Sequence, residues 1–570
     1  MKQSAEFLAG HQLVFSTLGP LHIGCGIDYE PTNYVMDGET LFGFDIEDLD
    51  AVLTEKDRNK LSTIVLGPSA GAGGVGTPSS GSNHGDHGYK ALLSLRRFIY
   101  KRRELLLARA RHIVSVAPQV AEEYHEGIGR VAQVKSEKNV LNQFHLQRTC
   151  FNPHSQEPLL PGSSVKGAIR TGVLNGLNGG KRRKVLKSSR LERELLGGGF
   201  QSDPMRMVKI GDGQWQKSSD NPGPRIIYDH NLYKKPHKAD KKTRAEGKSN
   251  LRVMREVLPA MASRLFRAPL SLLRAAPELG DGQPKNTLAL ADIVRHCNRF
   301  YREQWEREMD ILLKLGCLDP RWQRLVEELF RGELGELLDE GRALLLRVGR
   351  HSGAECVTIE GVRSIRIMGK KIEGSRYESE ATTLWLAGER EDARESLIPF
   401  GWLVAEIDPE PEDLRSRALA EKLRDYNRDL CRREAERRAD IERKRAAAEE
   451  ELRERQRKEE EARRERERQE REAREREARL AALPPERRAM QEYRDMLEQE
   501  KQRFPQPRQT GLGSPVGQAL AQLVNRAQSW DGELREELRE LVDKAFEYLK
   551  VNRKKKGAGR DLWKKLGDGQ

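Results

Sequence analysis

Val165, Ala168, Ile169, Gly172 and Val173 recur at i, i+3, i+4, i+7 and i+8, the spacing that lines one face of an α-helix with buried side chains. The pattern predicts an amphipathic helix that starts at the serines of LPGSSVKGAIRTG (160–172). Ser163 or Ser164 would accept a first-turn N–H, and Pro161-Gly162 would turn the chain just before it. Elsewhere the period changes. HQLVFSTLGPLHIGCG (11–26) is rich in β-formers and predicts a strand running into a loop that carries His22, Gly24 and Gly26. NYVM and ETLFGF flank Asp37-Gly38, a hairpin signal, and DIEDLDAVL after them reads as a helix. DPMRMVKIGDG (203–213) reads as a strand and turn, 287–345 as helical, and LLLRVGRHSG (344–353) as a strand entering a glycine-flanked loop with Arg347, Arg350 and His351.

Strand, hairpin and helix in that order suit a ferredoxin-like α+β unit, and a second strand, loop and helix set follows the first. The expected fold is therefore α+β, with two ferredoxin-like units and helical insertions. The first covers 1–230 and the second 231–410. Within the first, GPSAGAGGVGTPSSGSNHGDHG (67–88) has too little apolar surface to order itself and is expected to be a flexible insertion. A long charged helix over 411–483 follows, then a linker and a small helical, basic tail over 484–570.

The charged segment (414–481) is rich in oppositely charged i,i+4 pairs such as Glu451 with Arg455 and Glu467 with Arg471. Between Ile441 and Leu480 the only large aliphatic residue is Leu452, so a coiled-coil seam is absent over most of the run. The expectation is a lone helix of about 65 residues, on the order of 100 Å long, stopped by Pro484-Pro485.

Length allows three or four domains, but a mean hydropathy of −0.75 with 34% charged residues makes part of the 570-residue chain non-globular. The formal charge of +13 suits a polyanionic partner. Six scattered cysteines without a CxxC pair suggest neither disulfides nor zinc and fit a reducing cytoplasm. No leader-like h-region and no run of 18 apolar residues is present, so no membrane partner is expected.

The chemistry most strongly suggested is phosphate binding. A helix that begins near Gly162 presents unpaired N–H groups at its positive end, and Lys166 and Arg170 are four apart beside it. Gly162 and Gly167 have the glycine spacing of a nucleotide-binding P-loop. However, Ala168 and Ile169 stand where its Lys and Ser/Thr belong, which argues against an ATPase. His84 and His87 lack a third ligand, and no cofactor or metal is expected.

LPGSSVKGAIRT (160–171) matches the pattern IPGSS-x-KGA-x-RT at nearly every position, and on this the chain resembles the RAMP superfamily of CRISPR proteins. LGPLHIGCGIDYEPTNYVMDG (18–38), DPMRMVKIGD (203–212) and IPFGW (398–402) are similar to blocks of one branch, the fifth Csm subunits of type III-A effector complexes. The resemblance covers roughly 11–410 and implies that the protein binds CRISPR RNA beside other Csm subunits. It further implies capping of the 3′ end of the guide, indirect contact with target RNA, and maturation of that end with help from a host nuclease. The RNA-binding candidates are His22, Gly24 and Gly26 in the first loop, and Gly162, Ser163, Ser164, Lys166, Gly167 and Arg170 at the helix start. Arg350 and His351 complete the set in the last loop. Related enzymes cleave RNA with a loop histidine, so His22 is the alternative catalytic candidate. Only Asp28 and Glu30 stand near it to handle a second proton, and no cation for the phosphorane is evident. A binding module without nuclease activity is the expectation.

Overall fold

The computed structural model describes residues 8–66, 84–129, 146–183, 188–235, 246–247, 253–274, 284, 287–368, 375–507 and 511–567. The glycine-rich insertion lies outside these residues up to position 83, and its last residues open the helix His84–Tyr100.

Leu8–Thr17 is a ten-residue strand whose second half is fully buried. It pairs antiparallel with Phe266–Leu273 on one side (Phe15 opposite Phe266) and Trp402–Ile407 on the other (Phe15 opposite Ala405). Widely separated parts of the chain thus share one seven-stranded sheet, ordered Ala343–Arg347, Trp402–Ile407, Leu8–Thr17, Phe266–Leu273, Gly213–Trp215 and Leu159–Leu160, with Val208–Ile210 also on Phe266–Leu273. A second, eight-stranded sheet runs Ile398–Pro399, Thr383–Gly388, Arg225–Tyr233, His112–Val116, Thr40–Gly43 and Tyr34–Asp37, with Met254–Val257 and Leu146–Gln147 at its side. The position read as a boundary, residue 230, falls inside Arg225–Tyr233, and residues 1–452 form one compact unit.

The helix expected at the serines is Gly162–Asn178, and Val165, Ala168, Ile169, Gly172 and Val173 are all buried in it. They face the helix Leu290–Leu315. Gly172 is required there, because a Cβ would lie 2.9 Å from the Cys297 sulfur, and the Tyr301 hydroxyl donates to the Ala168 carbonyl at 3.0 Å. The helical stretch 287–345 resolves into Leu290–Leu315, Pro320–Arg331 and Glu333–Asp339. The expected hairpin is present, with Asp37 opposite Thr40, so its two-residue loop is Gly38-Glu39.

The helix Leu414–Ala481 is continuous over 68 residues, but its first half is not a lone helix. Leu419 and Leu423 are fully buried in the main core, while Ile441 and Leu452 join a core built around Val35 and Phe42. Asn427 donates to the carbonyls of Ala260 (3.0 Å) and Met261 (2.7 Å), and Glu434 accepts the Gly223 N–H at 2.7 Å. Asn427, Glu434, Ile441 and Ala448 are spaced by seven, so one face meets the body through mostly small or polar side chains. From Arg453 to Arg479 every residue is exposed.

Residues 453–570 form a second compact unit. After Pro484, the helices Pro485–Arg503, Pro515–Arg526, Gly532–Leu549 and Ala558–Lys564 close on a core that includes Leu520, Val524, Leu541 and Val542. Ser514 and Asp531 cap two of them by accepting the N–H groups of Gly517 (3.1 Å) and Leu534 (2.8 Å). No described helix is long and apolar enough to cross a membrane.

Candidate nucleic-acid interface

At the helix start the groups expected to cradle a phosphate meet partners within the chain. Pro161 is the N-cap, and neither Ser163 nor Ser164 caps the helix with its side chain. The Gly162 N–H donates to Asp212 Oδ1 at 2.8 Å. The positive end of the helix is therefore already met by the chain's own carboxylate. Gly162 is needed for packing: a Cβ would sit 2.5 Å from the Ile210 carbonyl oxygen.

Lys166 and Arg170 are also engaged internally. Lys166 Nζ donates to the Val208 carbonyl at 2.8 Å, and burial together with Lys209 and Arg170 lowers its pKa. Arg170 bridges Asp203, at 2.8 Å, and Glu192. The i,i+4 spacing correctly placed both cations on one face, but that face turns toward the strand Val208–Ile210 and the turn at Asp203. Ser163 and Gly167 stay exposed, and nothing lies within 4 Å of a Cβ built on Gly167.

The first loop divides the same way. His22 is buried, its Nδ1–H donates to the Glu256 carbonyl at 2.7 Å, and burial, aided by Arg255, pushes its pKa down to about 4. Gly24 and Gly26 are exposed, and Gly26 has φ +76°, which its missing Cβ permits. From here a run of backbone hydrogen bonds reaches the helix start. Ile23 accepts from Cys150 (2.6 Å), Cys150 accepts from Leu159 (2.9 Å), and Gly162 lies three residues on.

In the other direction His22 accepts the Arg350 N–H at 2.8 Å. The Arg350 side chain is exposed and forms no ion pair with any described residue. His351 points inward instead: its Nε2 meets Asp229 Oδ2 at 2.8 Å and its ring stacks on Trp385 at 4.3 Å. Its side chain is only 8% exposed. Asp229 is shared with the buried Arg255. The three loops singled out in the sequence are thus brought together, and His22, Gly162, Lys166, Arg170 and His351 each have a polar partner within the chain.

Two contributors carry no recognisable sequence signal. Arg148, between the loops, lies 3.4 Å over the Phe151 ring and donates to Gln156. Glu256 is buried and accepts from Tyr29 (3.1 Å), His112 (3.0 Å) and the Thr149 N–H (3.2 Å). Burial works against its ionisation, yet His112, Arg148 and the Thr149 N–H hold its carboxyl below the usual range. No described group of three or more His, Cys, Asp or Glu is arranged to hold a metal.

The model of the RAMP superfamily matches residues 14–324. The chain belongs to the RAMP superfamily. The match contains the first loop and the helix start, and it ends before Arg350 and before both parts of the charged helix. Among solved structures this RAMP protein is similar to Csm5 of T. onnurineus, at 15% identity and a TM-score of 0.36, covering 69% of this chain and 99% of that one. It is also similar to a chain of the cryo-EM structure of a Csm–crRNA–target RNA ternary complex of a type III-A CRISPR-Cas system. There the identity is 14% and the TM-score 0.33, covering 70% of this chain and 100% of that one. No curated protein matches the RAMP chain.

Proposed function

We propose that this RAMP protein is a CRISPR RNA-binding subunit of a type III-A effector complex and caps the 3′ end of the guide. The observation that carries the reading is the superfamily match across the two glycine-punctuated loops, which backbone hydrogen bonds join to the loop of Arg350. The partners are then the guide RNA, neighbouring Csm subunits, target RNA through the guide, and a host nuclease that trims the exposed end.

Contact with the RNA backbone falls to the exposed turn at Gly24 and Gly26, to Ser163 and Gly167, and to the Arg350 guanidinium. Phosphate and sugar contacts of this kind position a strand without reading its sequence.

The protein acts here as a binding module. A general acid or base has to reach the proton it moves, and His22 is buried with Nδ1 committed to a carbonyl. Asp28 accepts the Arg148 N–H at 3.2 Å. Incubation of the pure protein with repeat RNA in EDTA tests this: binding without cleavage is expected. Cleavage that disappears in His22→Gln would replace the module with a metal-independent endoribonuclease.

A further inference from the structure

The last helix and the turn before it carry a charge unlike the rest of their unit. Between Lys550 and Gly567 stand eight Lys or Arg and one Asp, whereas residues 485–549 hold ten Lys or Arg against twelve Asp or Glu. The fold gathers these cations. Asn552 Oδ1 accepts the N–H groups of Lys554 (2.9 Å) and Lys555 (3.2 Å) and so fixes the turn. Gly559 lets Ala558–Lys564 close onto that turn, since a Cβ there would lie 2.4 Å from a Val551 methyl.

Two of the cations are engaged internally, Arg553 with Asp543 (2.6 Å) and Lys565 with Asn525 (2.6 Å). Lys554, Lys555, Lys556, Arg560 and Lys564 are exposed and form no ion pair with a described residue. The contrast with 453–479 is direct, because there arginines pair with glutamates one turn away, as Arg471 does with Glu475 at 3.0 Å.

We propose that this basic corner binds the phosphodiester backbone of a single nucleic-acid strand, without base readout, as a second contact separate from the RAMP body. Clustered cations that far outnumber the segment's one carboxylate, Asp561, are the electrostatic footprint of such a partner. An anionic membrane or an acidic peptide fits less well. Either would be helped by an apolar anchor beside the lysines, and the only exposed large apolar residue among those described in this unit is Met496, on another helix. The corner lies beyond the superfamily match, and the inference stands independently of the guide-capping reading.

The test uses the full-length protein carrying K554Q, K555Q, K556Q, R560Q and K564Q together, with oligo(U) RNA and oligo(dT) DNA as probes over a range of NaCl concentrations. Each cation in contact contributes about 0.7 to the log–log salt slope for single strands, so the slope should flatten by up to about 3.5, with an unchanged melting temperature. Equal flattening on both probes indicates the shared backbone, and flattening on one alone identifies the strand it serves. The matching Lys→Arg set should keep the wild-type slope. A change below about 1.4, two contacts' worth, overturns the proposal, as does loss of phosphatidylserine-vesicle binding with RNA and DNA binding intact. R350Q measured in parallel separates the two readings. If R350Q alone weakens binding, only the basic corner fails; if the five-site variant alone weakens it, only the RAMP surface fails.

Discussion

Arg350 donates its backbone N–H to the carbonyl of His22 at 2.8 Å, which joins two loops more than three hundred residues apart in the chain. The contact depends on the neighbouring glycine. Gly349 has φ +84°, and a Cβ on it would lie 2.3 Å from the same carbonyl oxygen. Gly349→Ala should therefore destabilise the protein by about 1–3 kcal/mol in urea denaturation and weaken RNA binding by displacing Arg350. Wild-type stability would show that the loops are not held by this close approach.

Arg170 should behave as a structural residue. It bridges Asp203 and Glu192 from a partly buried position, so Arg170→Gln should cost about 1 kcal/mol of stability and leave the salt slope of RNA binding unchanged. A slope flattened by about 0.7 would return the residue to the RNA.

Acid sensitivity should follow from two buried histidines. His22 and His230 are both held at about 4, chiefly by burial, against an ordinary value of 6.5. Between pH 4 and 6.5 the unfolded chain binds more protons at these sites than the folded one, so stability should rise with pH across that window and be complete above it. Glu256, also held low, adds a loss that begins below about pH 4.5. In chemical denaturation at successive pH values, His22→Gln should reduce the slope by close to one proton. An unaltered slope would contradict a buried, neutral His22.

Much of this was legible in the sequence. The 3.6-residue stripe from Val165 to Val173 found a helix and its buried face, because periodicity reports burial directly. What the stripe could not report was which partners the polar face would meet. Asp212, Asp203 and Glu192 lie 22 to 50 residues from their partners Gly162 and Arg170, and local spacing carries no information about them. The packing of the charged helix on the body is hidden for a related reason. Its face toward the body repeats every seven residues at Asn427, Glu434, Ile441 and Ala448, and a search for large aliphatic residues passes over three of the four.

That packing makes the two halves of the long helix unequal. Leu419→Ala or Leu423→Ala, both at fully buried sites, should each cost about 2–5 kcal/mol. Arg466→Ala, in the exposed half, should stay within about 0.5 kcal/mol. Thermal denaturation compares them, and equal small effects would mean that the first half does not pack on the body.

The most direct test of the guide-capping account is crosslinking of the guide RNA in the assembled complex, followed by mapping of both peptide and nucleotide. Peptides covering 22–27, 160–172 and Arg350 should join to the last several nucleotides of the guide, and complexes lacking this subunit should keep the opposite end bound while their guides become longer or ragged at the 3′ end. Crosslinks from these peptides to the 5′ tag of the guide would contradict it.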